Sequence, residues 1–274
     1  MRQIYPGQAA LADADLAALY AYPDLAGGRA HWVRGNMVES LDGAATLGGR
    51  SRGLSSEWDR QIFAMLRALA DVILVGAGTA RTERYAPVRP ESEGLRWAWL
   101  RKGRAPSAPI AVVTRTLDLD LDSALVAAAP EHARSIIITT DSAPAGRRAA
   151  AARTADVVVA GDTSVDMAAA VAELAARGLR RILAEGGPHL LTQIVDAGQL
   201  DELCLTVSPL LAGPGPDRIL CGPPLSGAPT AKPFTVGHVL IDDGYLFCRY
   251  GSANQGGRPP GTPRGADGAS SASR

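Results

Sequence analysis

Glycines, carboxylates, arginines and hydroxyls gather at four places along this chain, each directly after a short β-branched run. The first place is Met37-Val38-Glu39-Ser40-Leu41-Asp42-Gly43, followed by Leu47-Gly48-Gly49-Arg50-Ser51-Arg52-Gly53-Leu54-Ser55. A strand that enters such a loop can bring its backbone against a planar ring and leave Asp42 to bond the ring's polar edge. The same residues also make a hairpin turn capped by Asp42. The second place is Val75-Gly76-Ala77-Gly78-Thr79-Ala80-Arg81-Thr82-Glu83. Glycines at a strand-to-helix switch free N–H groups for an anion and admit a cofactor closely. It is not G-x-G-x-x-G, and tight strand-helix packing uses glycines in the same way. The third place is Leu183-Ala184-Glu185-Gly186-Gly187-Pro188-His189-Leu190. Here Pro188 at a helix start builds either a pyrophosphate cradle with Glu185 facing it, or a plain Gly-rich turn before a helix. The fourth place, Val112-Val113-Thr114-Arg115-Thr116, ends a run with a guanidinium and two hydroxyls. Those groups suit a ribose 2′-phosphate, hence NADPH rather than NADH, although an arginine at a surface is also stable simply solvated.

Other chemistries find no support. His31, His132, His189 and His238 lie apart from any Cys or carboxylate at ligand spacing and read as surface or packing residues, so no metal is expected. Cys204, Cys221 and Cys248 make no C-x-x-C and no disulfide framework, which suits a reduced cytoplasm. Neither a G-x-S-x-G elbow nor a phosphate-binding G-x-x-x-x-G-K-[ST] loop occurs. With 28 basic and 28 acidic residues the chain has no net charge to draw it to nucleic acid or an anionic membrane. Its apolar runs are strand-length, so no membrane span is expected. A small molecule or another subunit is the expected partner.

The elements that must hold these four places are legible from periodicity. Apolar runs at 31–38, 71–75, 110–113, 135–139, 156–160, 181–184 and 202–207 alternate with Ala-rich helical patterns at 56–69, 143–152, 165–177 and 188–197. Such alternation specifies a mostly parallel sheet with helices on both faces. Ser55-Ser56-Glu57 reads as the N-cap of the first of those helices. Runs at 234–241 and 244–250 flank Asp242-Asp243-Gly244, a tight-turn signal for a C-terminal antiparallel hairpin, so the sheet is mixed. Residues 1–28 read as an N-terminal arm with one amphipathic stretch around Asp13 to Tyr20, and 29–251 as the catalytic domain. Residues 252–274, made of Gly, Pro, Ser, Ala and Arg, have the composition of a disordered tail. Trp97 and Trp99 are expected to cover a core edge or a subunit contact.

Taken in order, these pieces resemble the reductase domain of the riboflavin-biosynthesis deaminase-reductase family. The resemblance rests on Ser40-Leu41-Asp42-Gly43, the G-x-S at Gly49 to Ser51, Leu66-Arg67-Ala68, the glycine-threonine turn ending at Thr79, Glu185-Gly186-Gly187-Pro188, and Leu203 to Gly213. It covers roughly residues 30 to 250 in order, and ordered co-occurrence is far more specific than any single motif. It implies a three-layer α/β/α dihydrofolate-reductase-like fold, a homodimer, a cytoplasmic enzyme and NADPH as hydride donor. The implied reaction is reduction of 5-amino-6-(5-phosphoribosylamino)uracil, at C1′ of its opened ribose. Carried over by position, Glu39, Gly53, Gly76, Gly78, Thr79, Glu83, Thr114, Arg115, Thr116, Gly186 and Gly187 are the expected cofactor contacts. Ser51, Arg67, Arg89 and Glu185 are the expected substrate contacts, and Asp42 the catalytic polar contact, with Asp42 or water supplying the proton.

The chain departs from the family at defined points. Neither H-x-E nor P-C-x-x-C occurs, so these residues hold no zinc for deamination and a standalone reductase is expected. Where the family carries paired aspartates, a proline and a substrate-binding arginine, this chain reads Thr82-Glu83-Arg84-Tyr85-Ala86-Pro87-Val88-Arg89-Pro90, with Arg89 as the replacement arginine. A tryptophan common after the G-x-S is replaced by Gly53. These changes fall on the substrate side, which keeps two alternatives in view: a dihydrofolate or other pteridine reductase, and a non-catalytic NADP(H)-binding protein.

Overall fold

A computed structural model describes residues 1–11, 13–26, 28–89, 100–101, 103–226 and 231–253. Trp97, Trp99 and the tail from 254 onward lie outside the described residues. Among those described, eleven strands form one sheet. They are β1 (Arg2–Tyr5), β2 (Ala9–Ala10), β3 (Trp32–Ser40), β4 (Val72–Gly76), β5 (Ile110–Val113), β6 (Ile136–Thr139), β7 (Asp156–Val159), β8 (Arg181–Ala184), β9 (Glu202–Ser208), β10 (Phe234–Asp242) and β11 (Tyr245–Ser252). Their spatial order is β2-β1-β10-β11-β9-β3-β8-β4-β5-β6-β7. From β9 through β3 to β7 all pairings are parallel, whereas β11, β10, β1 and β2 are added antiparallel.

The burial pattern explains the two halves. β4 and β6 are apolar runs buried along nearly their whole length, as strands covered on both faces must be. β9 instead alternates buried with half-buried residues, the pattern of a strand with one face fully covered. Helices α1 (Asp13–Leu19), α2 (Glu57–Leu69), α3 (Ala77–Thr82), α4 (Ala124–Ala127) and α5 (Ala145–Thr154) contribute to one core, with Tyr20, Ile62, Leu66, Val75, Val112, Ile137 and Phe247. Helices α6 (Met167–Ala176) and α7 (Pro188–Asp196) close the other, over Val33, Leu74, Ile138, Ile182 and Leu191. This is the expected three-layer, dihydrofolate-reductase-like fold. The helix α2 begins as expected, with the Ser56 hydroxyl accepting the Asp59 N–H at 3.1 Å. The C-terminal hairpin also forms as expected, pairing Asp242 with Tyr245. Asp243 and Gly244 both have positive φ, +45° and +80°, as a two-residue type I′ turn requires.

One difference concerns the N-terminus. Read from sequence as an arm, it is built into the sheet: β1 pairs with β10, and Leu16, Ala17 and Tyr20 enter the core. Two strands this short lack the periodicity that marks a longer strand. A buried ionic knot fastens the segment. Glu202, fully buried, forms an ion pair with Arg34 Nε at 2.5 Å and accepts Arg249 Nη2 at 2.8 Å and Trp32 Nε1 at 3.2 Å. The Arg249 guanidinium also donates to the carbonyls of Leu19 and Ala21, which ties the segment after α1 to β11. Burial by itself raises the Glu202 carboxyl, but Arg34 and then Arg249 outweigh it and hold it at about 2.

Candidate active site

The glycine-rich turns after β4 and β8 meet at the carboxyl edge of the parallel sheet, where open α/β sheets bind ligands. Gly76 N–H donates to the Gly186 carbonyl at 2.8 Å, which locks the two turns together. Two of the glycines are sterically required. A Cβ on Gly187 would lie 2.4 Å from Thr79 Oγ1, and Gly186 has φ +86°, a conformation that side chains rarely adopt. Pro188 then occupies the first turn of α7, where its missing N–H costs nothing.

Beside these turns lies a cavity of about 260 Å³, lined by Gly76, Gly78, Thr114, Arg115 and Thr116 together with residues of α3 and α7. Five expected cofactor residues are therefore brought together from two separate segments, with the start of α7 closing a third side. Sequence reasoning did not assign Arg81, His189 and Gln193 to the site, yet they line it too. His189, expected as a surface or packing residue, is exposed, and it lies at the cavity, one residue into the helix that Pro188 opens. Its proximity to the Gly-Gly-Pro signal could have drawn attention to it. The turn carrying Arg115 is fixed from behind, because the Thr139 and Thr140 hydroxyls donate to the Arg115 carbonyl at 3.4 and 3.1 Å. The Arg115 side chain is exposed and makes no hydrogen bond among the described residues, so its guanidinium is available to an anion. Arg81, across the cavity, donates to the Asp118 carbonyl at 2.5 Å.

A second cluster holds the expected substrate side. Arg67, from α2, forms a two-pronged pair with Glu185, Nε to Oε1 and Nη2 to Oε2, both at 2.7 Å. Tyr85 donates its hydroxyl to Glu185 Oε2 at 2.7 Å. The guanidinium lies over the Phe63 ring at 4.2 Å and near the Tyr85 ring at 5.2 Å. Burial, followed by the Glu185 charge, pushes the Tyr85 phenol well up, so it stays protonated as a donor. The Glu185 side chain is only 1% exposed and the Arg67 side chain 18%, so the arginine is the member that reaches outward. Tyr85 was not assigned a role from sequence, since a lone tyrosine in a loop carries no signal of its partner.

The remaining expected residues are placed differently. Ser51 and Glu83, assigned to substrate and cofactor respectively, bond each other: Glu83 Oε1 accepts the Ser51 N–H at 2.8 Å and its hydroxyl at 3.0 Å. This latches the 47–54 loop to the end of α3. Gly53 sits under Leu47, whose Cβ would lie 3.1 Å from an added methyl. Glu39 is half-buried on β3 in register with Val207, its carboxyl raised by burial against the opposing pull of Arg218. Arg89 is exposed at the end of its described stretch.

Asp42 receives a different role from the one expected. Its carboxylate accepts the Ser40 hydroxyl at 2.5 Å and the N–H groups of Ala212 and Gly213 at 3.0 and 2.8 Å. The Ser40 bond and then the Ala212 N–H hold the carboxyl down at about 2. A group so held carries no proton at neutral pH and ties the end of β3 to the loop after β9. Among the described residues, no three His, Cys, Asp or Glu side chains come together as metal ligands, and no helix is long and apolar enough to cross a membrane.

Comparison with known proteins bears on this arrangement. The RibD C-terminal domain family model matches residues 31–247. A 2,5-diamino-6-ribosylamino-4(3H)-pyrimidinone 5′-phosphate reductase of Aquifex aeolicus is 33% identical over 180 residues, covering 64% of this chain and 75% of that protein. A protein of the same name from Archaeoglobus fulgidus is 27% identical over 187 residues, covering 68% and 84%. Among solved structures, a pyrimidine reductase-like protein of Corynebacterium diphtheriae superposes with a TM-score of 0.75 at 24% identity, covering 87% of this chain and 98% of that one.

Proposed function

Because the chain belongs to the RibD C-terminal domain family, we propose that it is an NADPH-dependent pyrimidine reductase of riboflavin biosynthesis. Its substrate is 5-amino-6-(5-phosphoribosylamino)uracil, reduced at C1′ of the opened ribose. The observation that carries the reading is the convergence of the turns after β4 and β5 and the start of α7 on one cavity with an arginine at its rim that makes no hydrogen bond among the described residues. The residues present fit the cofactor. The Thr114 to Thr116 turn offers hydroxyls and a guanidinium to a 2′-phosphate, and Gly76 and Gly78 leave backbone at the cavity wall. NADPH, when bound, supplies the hydride.

The protein's own work is positional. Gly76, Gly78, Gly186 and Gly187 let the backbone approach the dinucleotide closely, and Arg115 selects the phosphorylated ribose. Glu185 and Tyr85 hold Arg67 in one orientation, so that its Nη1, which has no hydrogen bond among the described residues, is presented to the anionic substrate. The Ser51 to Glu83 latch sets the loop between the two ligands. Asp42, fully ionised, has no proton to give, which leaves water as the proton source.

A second substrate reading is favoured by the names of the A. aeolicus and A. fulgidus relatives, which specify the 2,5-diamino pyrimidinone. The two rings differ in carrying an amino group or a carbonyl at C2. Loss of reduced-nicotinamide absorbance, followed with each ring in turn, tests both. Protein that leaves NADPH unoxidised with either ring sinks the proposal. We also propose a homodimer, supported by the exposed apolar side chains Leu41, Leu210 and Leu211 and the half-open face of β9 at Leu203 and Leu205, and a cytoplasmic setting, which suits its three free cysteines. Light scattering on a size-exclusion column measures its mass.

A further inference from the structure

The opposite edge of the sheet carries a larger cavity than the one assigned to the cofactor. It measures about 800 Å³ and lies between the segment from Tyr22 to Ala26 and the amino ends of β4, β5 and β8. A neighbouring lobe of about 340 Å³ shares Tyr22, Pro23, Arg104 and Arg181 with it. A volume of this size accommodates a ligand as large as a nucleotide.

Its charge is unbalanced. Among the described residues, Arg101, Arg104, Arg180 and Arg181 line it, against two carboxylates, Asp24 and Asp71. Asp71 is already engaged, by Arg181 at 2.8 Å and Arg104 at 3.4 Å. Asp24 accepts the Ala26 N–H at 2.8 Å. The arginines are held rigidly by backbone. Arg101, only 4% exposed, donates Nε to Ala105 and Nη1 to the Ala68 and Ala70 carbonyls. Arg104 donates to the carbonyls of Ala68, Leu69, Ala70 and Leu100, and Arg180 to those of Leu25, Arg29 and Ala30.

Capping the carboxyl end of α2 accounts for two arginines at its last carbonyls. It does not account for four converging, nor for the N–H groups left over. Arg101 Nη2, Arg180 Nη1 and Arg181 Nη1 carry no hydrogen bond among the described residues, and none of the three is sealed from solvent. Burial first, and then the charge of Arg104, lower the Arg101 guanidinium to about 10. An anion would sit among four converging guanidiniums and meet donors already fixed in place.

We propose that this cavity is a second ligand site, separate from the reductase centre, for a small multivalent oxyanion such as a phosphorylated or polycarboxylate metabolite. The site and the cofactor cavity lie at opposite ends of the same three strands. Asp71 precedes β4, Pro109 precedes β5 and Arg181 begins β8, while the far ends of those strands form the cofactor turns. The two can be titrated separately.

The test is calorimetric titration of full-length Arg115→Ala protein, in which the cofactor cavity has lost its free guanidinium, with tripolyphosphate and in parallel with citrate. The expected result is saturable binding of one anion per chain, with Kd raised at least tenfold when His132→Glu or Arg181→Gln is added. His132 stands at the cavity rim and, among the described residues, its side chain bonds Ser107 alone, so its replacement adds a repelling charge without cutting the arginine ties. If Arg181→Gln does not fold, His132→Glu alone decides. Tighter tripolyphosphate binding identifies a phosphorylated ligand, and tighter citrate binding a polycarboxylate. Absence of saturable binding by both anions at millimolar concentration, or binding unmoved by His132→Glu, overturns the proposal.

Discussion

Two glutamates in this molecule are gripped by arginine, and they do opposite jobs. Glu202 lies between Arg34 and Arg249 with no solvent exposure at any of the three beyond 1%, and the whole knot is sealed under the N-terminal segment. Glu185 is equally buried, but its arginine is partly open and faces the edge of the sheet where the cofactor turns meet. The chemistry of the pairs is nearly the same. Access decides whether a fixed arginine becomes a strut or a ligand contact. In the knot every unit of charge is spent on the fold, whereas in the clamp the carboxylate is spent on orienting a guanidinium that keeps one nitrogen for something else.

The comparison is most exposed to failure at Glu202. Glu202→Gln removes the one negative charge between two buried guanidiniums, and breaking such a pair costs about 3–5 kcal/mol. Urea unfolding should show an unfolding free energy lowered by that amount, and a loss under about 1 kcal/mol would break the view of the knot as structural. Arg67→Lys attacks the clamp. The charge survives but the two-pronged geometry does not, and kcat/KM should fall roughly 100-fold, equivalent to about 2.7 kcal/mol of transition-state binding. Its urea midpoint should move less than that of Glu202→Gln; a larger shift would make the clamp a strut as well.

Acid separates the two regions next. His238, edge-on to Tyr20 at 4.8 Å beside the knot, is depressed to about 3 by burial and then by the charge of Arg249. A histidine kept neutral in the fold charges more readily in the unfolded chain, so stability falls as pH drops below about 6.5 and continues falling to about 3. Glu202 adds a second loss: its stabilisation is fully present above about 4.5 and disappears as pH approaches 2. Urea midpoints between pH 7 and pH 3 should therefore decline throughout, and His238→Leu should flatten the upper part of the decline. The smallest effect is expected at Asp42. Asp42→Asn weakens the tie between β3 and the loop at Ala212 and Gly213, raising KM a few-fold, and leaves the pH dependence of kcat near neutrality unchanged because the carboxyl was already ionised. A lost limb in that profile would return Asp42 to proton transfer.

Much of the frame is legible in the residues. Runs such as Ile110 to Val113 and the hairpin around Asp243-Gly244 declare themselves because strand and turn preferences are local. The glycine turns are legible for the same reason, since a positive φ such as that of Gly186 is a property of one residue. Roles that depend on a partner are not. Ser51 and Glu83 looked like two ligand contacts and turned out to hold each other, 32 positions apart. Tyr85 gains its role only from Glu185, a hundred positions on.

By itself, then, the sequence determined the alternating strands and helices, the C-terminal hairpin, the glycine-rich turns and the ordered motifs of its family. Those depend on backbone preference, on side-chain period and on the order of short segments. Tertiary structure alone decided which charges meet. Arg34 stands beside Glu202 because β3 and β9 pair in parallel with those residues in register, and Arg249 joins them from the antiparallel neighbour β11. It also decided that one glutamate is walled in while the other's arginine faces a cavity. Electrostatic work depends on distance and burial in space, and neither is a property of position along the chain.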